Sequence, residues 1–278
     1  MRNITVLGAG VLGSQIALQF AAYNNKVTVY DINDKALDNS RNQLTRYYEK
    51  FNWINGNKNT EALSFINHTT NIYDAIHDAD IVIEAVPEDI SIKENLYKKL
   101  NNALNDNTIL ATNSSTFLTS RIGSFVKNKK NFLACHFANN ISYRNLVEIC
   151  KTSETSETAF NELVSLAEES GLVPIILQKE KEGYLLNSML VPLLEAAASL
   201  YINEIGSFED IDKAWVIGTG AAAGPFRIFD IIGFNTVYNI HRNSANENSV
   251  RFADKLKTDY IDKGKLGVQS GEGFYKYE

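Results

Sequence analysis

The sequence predicts an α/β fold in which a mostly parallel β-sheet, covered by helices on both faces, is followed by a smaller all-α domain. Strand-like and helix-like patterns alternate through the first two-thirds of the 278 residues, as the crossover units of a parallel sheet require. A charged stretch, Lys179–Gly183, ends this alternation, and no strand pattern follows it until the extreme C-terminus. The predicted domains are therefore residues 1–182 and residues 183–278.

Short apolar runs mark the strands of the first domain, at residues 4–7, 26–30, 79–86, 108–112, 131–137, 146–150 and 173–177. Helical patterns lie between them, at residues 14–23, 33–50, 91–100 and 157–170, and Gly171 suits the end of the last one. The second domain has helical patterns at residues 184–205, 208–217, 225–238 and 248–263. We expect Pro192 to kink the first of these four.

A glycine-rich turn joins the first strand to the first helix. Gly8, Gly10 and Gly13 form the pattern G-x-G-x-x-G, which on its own is weak evidence because chance matches are common. The flanking strand–helix–strand pattern supports it, since the three glycines permit a tight turn, close approach of a pyrophosphate, and close helix packing. The helix N-terminus, with Val11 and Leu12, presents N–H groups to the phosphates, so the sequence predicts a Rossmann-type, dinucleotide-binding domain.

An acid follows the second strand. Asp31 lies 23 residues after Gly8, close to the spacing at which a carboxylate hydrogen-bonds the ribose hydroxyls of a dinucleotide. A carboxylate there repels a 2′-phosphate, so the predicted cofactor is NAD rather than NADP. The alternative is an ordinary strand–turn–helix whose glycines only aid packing.

Composition argues against several other classes of function. The net charge of −6 and the pI near 5.4 do not fit nucleic-acid binding, which needs a clustered basic surface. We find no apolar stretch long enough to span a bilayer and no signal peptide, so no membrane partner is expected. The two cysteines, Cys135 and Cys150, cannot form a disulfide framework and favour a cytoplasmic location. The four histidines lack metal-ligand spacing, so no metal is expected.

Three polar groups lie near the carboxyl ends of predicted strands, where ligands of an open parallel sheet bind. Ser114 and Ser115 follow the strand at residues 108–112, and His136 lies near the end of the next strand. Glu148 lies inside an apolar run, where a carboxylate needs a partner. Beside His136 it would fix the imidazole tautomer, and His136 would then act as a base in alcohol oxidation and as an acid in ketone reduction.

Structural interpretations of the same residues remain open. The serines could cap the following helix, and Glu148 could pair with an arginine or a helix terminus. A serine hydrolase using Ser115, His136 and Glu148 is a further hypothesis, although no G-x-S-x-G motif is present. Cys135 is predicted to point away from His136 into the core, because adjacent strand residues face opposite sides.

Five motifs follow one another along the chain: Gly8-x-Gly10-x-x-Gly13, Ile83-Glu84-Ala-Val-Pro-Glu88, Asn113-Ser-Ser115, His136-Phe137-x-Asn139 and Gly271-x-Gly273-Phe-Tyr275. Their order resembles that of the 3-hydroxyacyl-CoA dehydrogenase family, and the resemblance runs from Met1 to the C-terminus. It implies an NAD-binding domain followed by a helical domain that dimerises and helps to close the active site. It also implies reversible oxidation of a small-molecule substrate, an L-3-hydroxyacyl-CoA of fatty acid metabolism, to the 3-ketoacyl-CoA.

The resemblance assigns roles to particular residues. The family's catalytic base falls on His136, and the carboxylate that orients this base falls on Glu148. The family's hydroxyl-binding serine falls on Ser115, and the asparagine of its second domain falls on Asn187. Ser115 and Asn187 would hold the substrate oxygen while His136 removes its proton and the C3 hydride passes to the nicotinamide. Glu88 and Asn113 are expected to contact the cofactor, although Glu84 and Glu88 could also simply face solvent.

The sequence departs from the family pattern after Asn139. Asn140 stands where the family usually has proline, and Ile141–Arg144 replace a more apolar stretch. Tyr143 and Arg144 could instead bind a carboxylate, which suits a guanidinium. The departures leave two alternatives to a short-chain acyl-CoA substrate: a dehydrogenase of a free 3-hydroxy acid or of carnitine, and a catalytically inactive NAD-binding protein.

Overall fold

The computed structural model describes residues 1–55 and 61–277, and the chain divides into two units, Met1–Leu185 and Leu186–Glu278. The first unit is built on an eight-stranded sheet. Its strands are β1 Asn3–Leu7, β2 Lys26–Tyr30, β3 Ile66–Thr69, β4 Ile81–Glu84, β5 Ile109–Thr112, β6 Phe132–Phe137, β7 Leu146–Lys151 and β8 Val173–Ile176. They lie in the order β3-β2-β1-β4-β5-β6-β7-β8, and every neighbouring pair is parallel except β6–β7.

Eleven α-helices are described in residues 1–55 and 61–277. Those that begin in the first unit are α1 Val11–Ala22, α2 Asp34–Asn55, α3 Ile72–Ile76, α4 Ile90–Leu100, α5 Thr119–Gly123, α6 Glu157–Glu169 and α7 Tyr184–Ile202. Those of the second unit are α8 Phe208–Thr219, α9 Pro225–Ile232, α10 Phe234–His241 and α11 Glu247–Asp259. The predicted fold class, a mostly parallel Rossmann-type sheet followed by a helical domain, is confirmed.

The structure adds elements that the sequence pattern missed. Strand β3 has four residues, of which only Ile66 is a large apolar residue, so it lacks the apolar run that marks the inner strands. Helices α3 and α5 have five residues each, too few for a helical period to be visible. The single helix predicted at 225–238 is wrong: Gly233, with a φ of +88°, separates α9 from α10.

Both faces of the sheet are buried, as a parallel sheet with crossover helices requires. Ile81 and Ile83 of β4 belong to one apolar cluster, and Val82 belongs to the other. Cys135 is 1% exposed and lies in the first cluster, which confirms its predicted place in the core. Burial raises the pKa of its thiol far above the ordinary value, so Cys135 stays protonated.

In the second unit, one buried acid organises the C-terminal motif. The Asp230 carboxylate accepts the N–H groups of Phe274 and Tyr275 at 2.8 and 3.0 Å and the hydroxyl of Tyr277 at 2.7 Å. A Cβ on Gly273 would lie 2.1 Å from Asp230 Oδ1, so only glycine permits this approach. The Gly271-x-Gly273-Phe-Tyr275 motif therefore has a structural explanation within this unit.

The expectation that no apolar stretch is long enough to span a bilayer needs correction. Helix α7, with 19 residues and a mean hydropathy of 1.5, is long and apolar enough to cross a bilayer by length and composition. Core helices of soluble proteins pass the same criterion. Part of the apolar surface of α7 belongs to the core of the second unit, through Leu194, Ala197, Ala198 and Ile202.

Helix α7 continues through Pro192 and ends at Ile202.

Candidate active site

The turn between β1 and α1 is built on three glycines. Gly8 has a φ of +115°, and a Cβ there would lie 2.4 Å from the Ala85 carbonyl oxygen. A Cβ on Gly13 would lie 2.0 Å from the Gly8 carbonyl oxygen, so α1 can pack this closely only with glycine. Gly10 is different, because a Cβ there would meet no atom within 4 Å and the residue is exposed.

The open space at Gly10 fits a dinucleotide. No side chain caps the N-terminus of α1 and no acid lies in its first turn, so N–H groups beginning with Val11 and Leu12 are available to an anion. Asp31, directly after β2, accepts the Ala9 N–H at 2.9 Å and therefore lies beside the same turn. A helix end that can bind phosphate next to an acid that can bind ribose is the combination that NAD requires.

The loop after β5 is held by one carboxylate. Glu88, in the turn after β4, accepts the Ser114 hydroxyl at 2.5 Å and the Ser115 N–H at 2.9 Å. Thr116 adds its N–H and its hydroxyl, both at 2.8 Å. Burial alone would raise the pKa of Glu88, but the Lys93 ammonium 3.2 Å away and these donors hold that pKa below its ordinary value. Glu88 is therefore ionised at neutral pH and fixes the backbone of Ser115.

A buried lysine holds Glu88 in turn. Lys93 of α4 is 1% exposed, and its Nζ lies 2.7 Å from Glu84 Oε1 as well as near Glu88. Glu84 is fully buried, and its second oxygen accepts the hydroxyls of Tyr97 and Thr112 at 3.0 and 2.8 Å. One cation thus pairs with two carboxylates at the carboxyl edge of the sheet. The alternative that Glu84 faces solvent is wrong.

His136 and Glu148 lie directly opposite each other in the antiparallel pair β6–β7. Directly paired residues project to the same face, and His136 Nδ1 lies 2.9 Å from Glu148 Oε2. A carboxylate only accepts, so Nδ1 carries the proton and donates it, which leaves a lone pair on Nε2. The Ser115 hydroxyl, 3.1 Å away, donates to Nε2. His136 is 4% exposed and Glu148 is 1% exposed.

The order of serine, histidine and carboxylate is also that of the catalytic triad of a serine hydrolase. Such an enzyme needs free N–H groups beside the serine to bind an oxyanion. Here the N–H groups of Ser115 and Thr116 both donate to Glu88, and the Ser114 N–H donates to the Thr112 hydroxyl. The geometry therefore favours proton exchange at Nε2 of the histidine over nucleophilic attack by the serine.

The other predicted site residues have these positions. Asn113 Oδ1 accepts the Phe137 N–H at 2.9 Å and joins the ends of β5 and β6, and its contact with the cofactor stays a prediction. Asn187 lies on α7 in the second unit, and its contact with the substrate oxygen also stays a prediction. The interpretation of the serines as helix caps is wrong for α5, which begins after Leu118 and has no side-chain cap within this described segment.

Sequence reasoning missed three side chains around the site: Lys93, Tyr97 and Tyr184. A signal for Lys93 exists, because it precedes Leu96, Tyr97 and Leu100 by three, four and seven residues and so falls on the apolar face of α4. Tyr184, whose ring stacks on His136, carries no comparable signal, since its position depends on the backbone of the preceding linker.

The glycine turn, its acid and the histidine–carboxylate pair together define an NAD-dependent oxidoreductase. Residues 3–181 match the 3-hydroxyacyl-CoA dehydrogenase NAD-binding domain, and residues 183–277 match the C-terminal domain of the same family. The chain therefore belongs to the 3-hydroxyacyl-CoA dehydrogenase family. The human mitochondrial hydroxyacyl-coenzyme A dehydrogenase is 31% identical over 290 residues, covering 100% of this chain and 92% of the human one.

Two solved structures show the same fold. A diketoreductase, studied for its substrate-directed dual catalysis of dicarbonyl compounds, has a TM-score of 0.92 and 46% identity, covering 100% of this chain and 99% of the other. The (S)-3-hydroxybutyryl-CoA dehydrogenase of Ralstonia eutropha has a TM-score of 0.82 and 27% identity over the same shares. These relatives have differently named substrates, so they leave the substrate of this chain open.

We predict that Lys93→Met destabilises the protein by about 3–5 kcal/mol, because it leaves the buried Glu84 carboxylate without its cation and removes the same cation from Glu88. Glu88 then binds a proton more readily, and the loop that carries Ser115 loses its fixed acceptor. Denaturant unfolding measures the loss. Lys98→Met on the same helix is the matched control, since this exposed lysine pairs only with Glu94 and its loss costs at most about 0.5 kcal/mol. Equal stability of the two variants contradicts the prediction.

Proposed function

We propose that the protein interconverts a short-chain L-3-hydroxyacyl-CoA and its 3-ketoacyl-CoA, with His136 as the general base and acid. The observation that carries this proposal is the hydrogen-bonded order Ser115–His136–Glu148, in which Nε2 holds the available lone pair. When bound at the glycine turn, NAD supplies the hydride acceptor. His136 then takes the proton of the substrate hydroxyl at Nε2, and the Glu148 carboxylate stabilises the imidazolium that results.

Two further residues complete the proposed site. Ser115, whose hydroxyl already lies 3.1 Å from Nε2, holds the substrate oxygen within reach of the base. Asn187 donates its side-chain amide to the same oxygen, as the family resemblance implies. In the reverse direction the imidazolium returns its proton to the oxygen as the carbonyl is reduced, so the same pair supports both directions.

We predict that His136→Asn lowers kcat by about 10²–10⁴-fold while NADH binds with unchanged affinity. An amide of similar size fills the space and preserves the contact with Glu148, but it cannot exchange a proton near neutral pH. Steady-state oxidation of 3-hydroxybutyryl-CoA measures kcat, and fluorescence titration with NADH serves as the control for a folded cofactor site. Undiminished turnover by this variant excludes His136 as the base.

A second candidate is reduction of a free dicarbonyl compound or oxidation of a free 3-hydroxy acid. The diketoreductase relative and the segment 140–144 favour it. Asn140, with a φ of +62°, takes a backbone conformation that proline cannot adopt, and Gln15 Oε1 accepts its N–H at 2.8 Å. A small open cleft beside it is lined by polar as well as apolar groups, including Lys50 and Ser142. Lys50 Nζ lies 4.6 Å from the ring centre of Tyr143.

A substrate panel separates the two candidates. We predict that acetoacetyl-CoA is reduced with NADH at a higher kcat/KM than acetoacetate, acetoacetate esters or other free diketones. Wild-type enzyme and Arg144→Ala are compared, because the exposed guanidinium can bind a free carboxylate but is not needed for a thioester. Higher kcat/KM for the free compounds than for acetoacetyl-CoA establishes the second candidate instead. A loss in Arg144→Ala that is confined to acetoacetate then identifies the guanidinium as the group that binds its carboxylate.

We propose that the protein forms a homodimer through its second unit. Met189 and Leu200 of α7 are 68% and 43% exposed, and Ile217 of α8 is 81% exposed. Large apolar side chains left exposed on these two helices support a surface that a partner covers. Sedimentation velocity at micromolar concentration is expected to give twice the monomer mass of 31.1 kDa, and a single monomeric species would contradict the proposal.

A further inference from the structure

Three consecutive residues at the end of the first unit contact the three members of the Ser115–His136–Glu148 group in turn. The Gly183 N–H donates to the Ser115 carbonyl oxygen at 3.0 Å. The Tyr184 ring stacks on the His136 ring, with centres 4.4 Å apart and planes 1° from parallel. The Leu185 N–H donates to Glu148 Oε1 at 2.9 Å. We propose that the segment Gly183–Leu185 positions this group and that the Tyr184 ring stabilises the protonated imidazole.

The backbone of the segment Gly183–Leu185 has an unusual conformation that makes these contacts possible. Gly183 has a φ of +78°, and Tyr184 follows with a φ of +53°. A left-handed conformation is uncommon for a tyrosine and persists only where the surroundings impose it. Here it places one side chain over the imidazole and turns the next N–H towards the carboxylate. Strain of this kind at a site of contacts is consistent with a positioning role.

The ring contact completes the confinement of His136. Glu148 holds Nδ1 and Ser115 lies at Nε2, so hydrogen bonds fix the imidazole only in its own plane. The Tyr184 ring, 3% exposed, covers one face and blocks rotation out of that plane. The face of a phenol ring carries negative electrostatic potential and attracts a cation, so the contact is stronger after His136 takes a proton.

The titratable groups that face this contact come from several elements. Glu148 faces His136 from β7, and Tyr184 faces it from the start of α7. Glu88 and the thiols of Cys135 and Cys150 act on Tyr184 electrostatically. Burial raises the pKa of the Tyr184 hydroxyl, although a hydrogen bond with Thr119 opposes the rise, so the phenol stays neutral across the range in which histidine titrates. Burial raises the pKa of Cys150 to about 11, and it too stays neutral.

The inference rests on the proposed function for its kinetic test, and the sign follows from the favoured protonation state. Oxidation needs the neutral imidazole, and the Tyr184 ring favours the charged one. Tyr184→Leu fills the space without an aromatic face, so the midpoint of the acidic limb of kcat/KM moves to lower pH by about 0.5 unit. We expect kcat to fall about fivefold with the KM for NAD unchanged, because the base loses its fixed orientation.

Two further variants serve as controls for Tyr184→Leu. Tyr184→Phe retains the aromatic face and is expected to retain both the wild-type midpoint and kcat. Phe20→Leu is the control for lost packing, since Phe20 is also buried in the first unit. It packs edge-on against Phe137, whose side chain lies on the opposite face of β6 from that of His136. This control is expected to lose thermal stability without moving the midpoint.

A measurement without substrate separates this inference from the proposed function. In histidine-labelled protein, the His136 Cε1–H resonance, assigned with His136→Asn, is followed by NMR against pH. An upfield ring-current shift that disappears in Tyr184→Leu, with the titration midpoint lowered by about 0.5 unit and both restored in Tyr184→Phe, supports the inference even if no acyl-CoA is turned over. An unchanged midpoint and resonance in Tyr184→Leu overturn it, whatever the substrate proves to be.

Discussion

The site depends above all on a cluster of two carboxylates and one ammonium, in which Glu84 and Lys93 are buried. Removing charges from water is costly, and Glu84 and Lys93 recover that cost only because each charge has several well-placed partners. Glu88 extends the arrangement to the loop after β5, where it accepts hydrogen bonds from Ser114 through Thr116. The position of the Ser115 hydroxyl beside His136 therefore depends, through Glu88, on a lysine of α4.

The one antiparallel pair of the described sheet determines the histidine–carboxylate contact. In β6–β7 the residues His136 and Glu148 are direct partners, and neighbouring pairs such as Cys135 and Ile149 point to the opposite face. A shift of one residue in this register would bury the carboxylate in the apolar cluster and leave the imidazole without its acceptor. The strongly apolar neighbours on both strands prevent such a shift, because it would also expose their side chains to the polar face. The register of β6–β7 therefore determines both the packing of the apolar face and the contact of His136 with Glu148.

Much of the fold could be predicted from the sequence, because the inner strands are apolar runs and the glycine turn has few alternatives. The candidates Ser115 and His136 could be identified because parallel strands bring their carboxyl ends to one edge. Glu148 could be identified because a carboxylate inside an apolar run needs a partner. The direction of β7 could not be predicted, since the apolar pattern of a strand is the same for parallel and antiparallel pairing. Strand β3 could not be predicted because it is too short and too polar to form an apolar run. The place of Tyr184 depends on two left-handed residues in succession, and no local pattern predicts such a conformation in a tyrosine. What escaped prediction is therefore mostly long-range pairing and unusual backbone.

Glu148 shows why its two sequence interpretations, a partner for the histidine and a partner for a helix terminus, need not compete. An ionised carboxylate has two oxygens and room for several donors. Oε2 accepts the imidazole Nδ1–H, and Oε1 accepts the N–H of Leu185, in the first turn of α7. The start of the helix places partial positive charge beside Oε1 of this buried carboxylate. The start of α7 and the imidazole are therefore joined through the acid that lies between them.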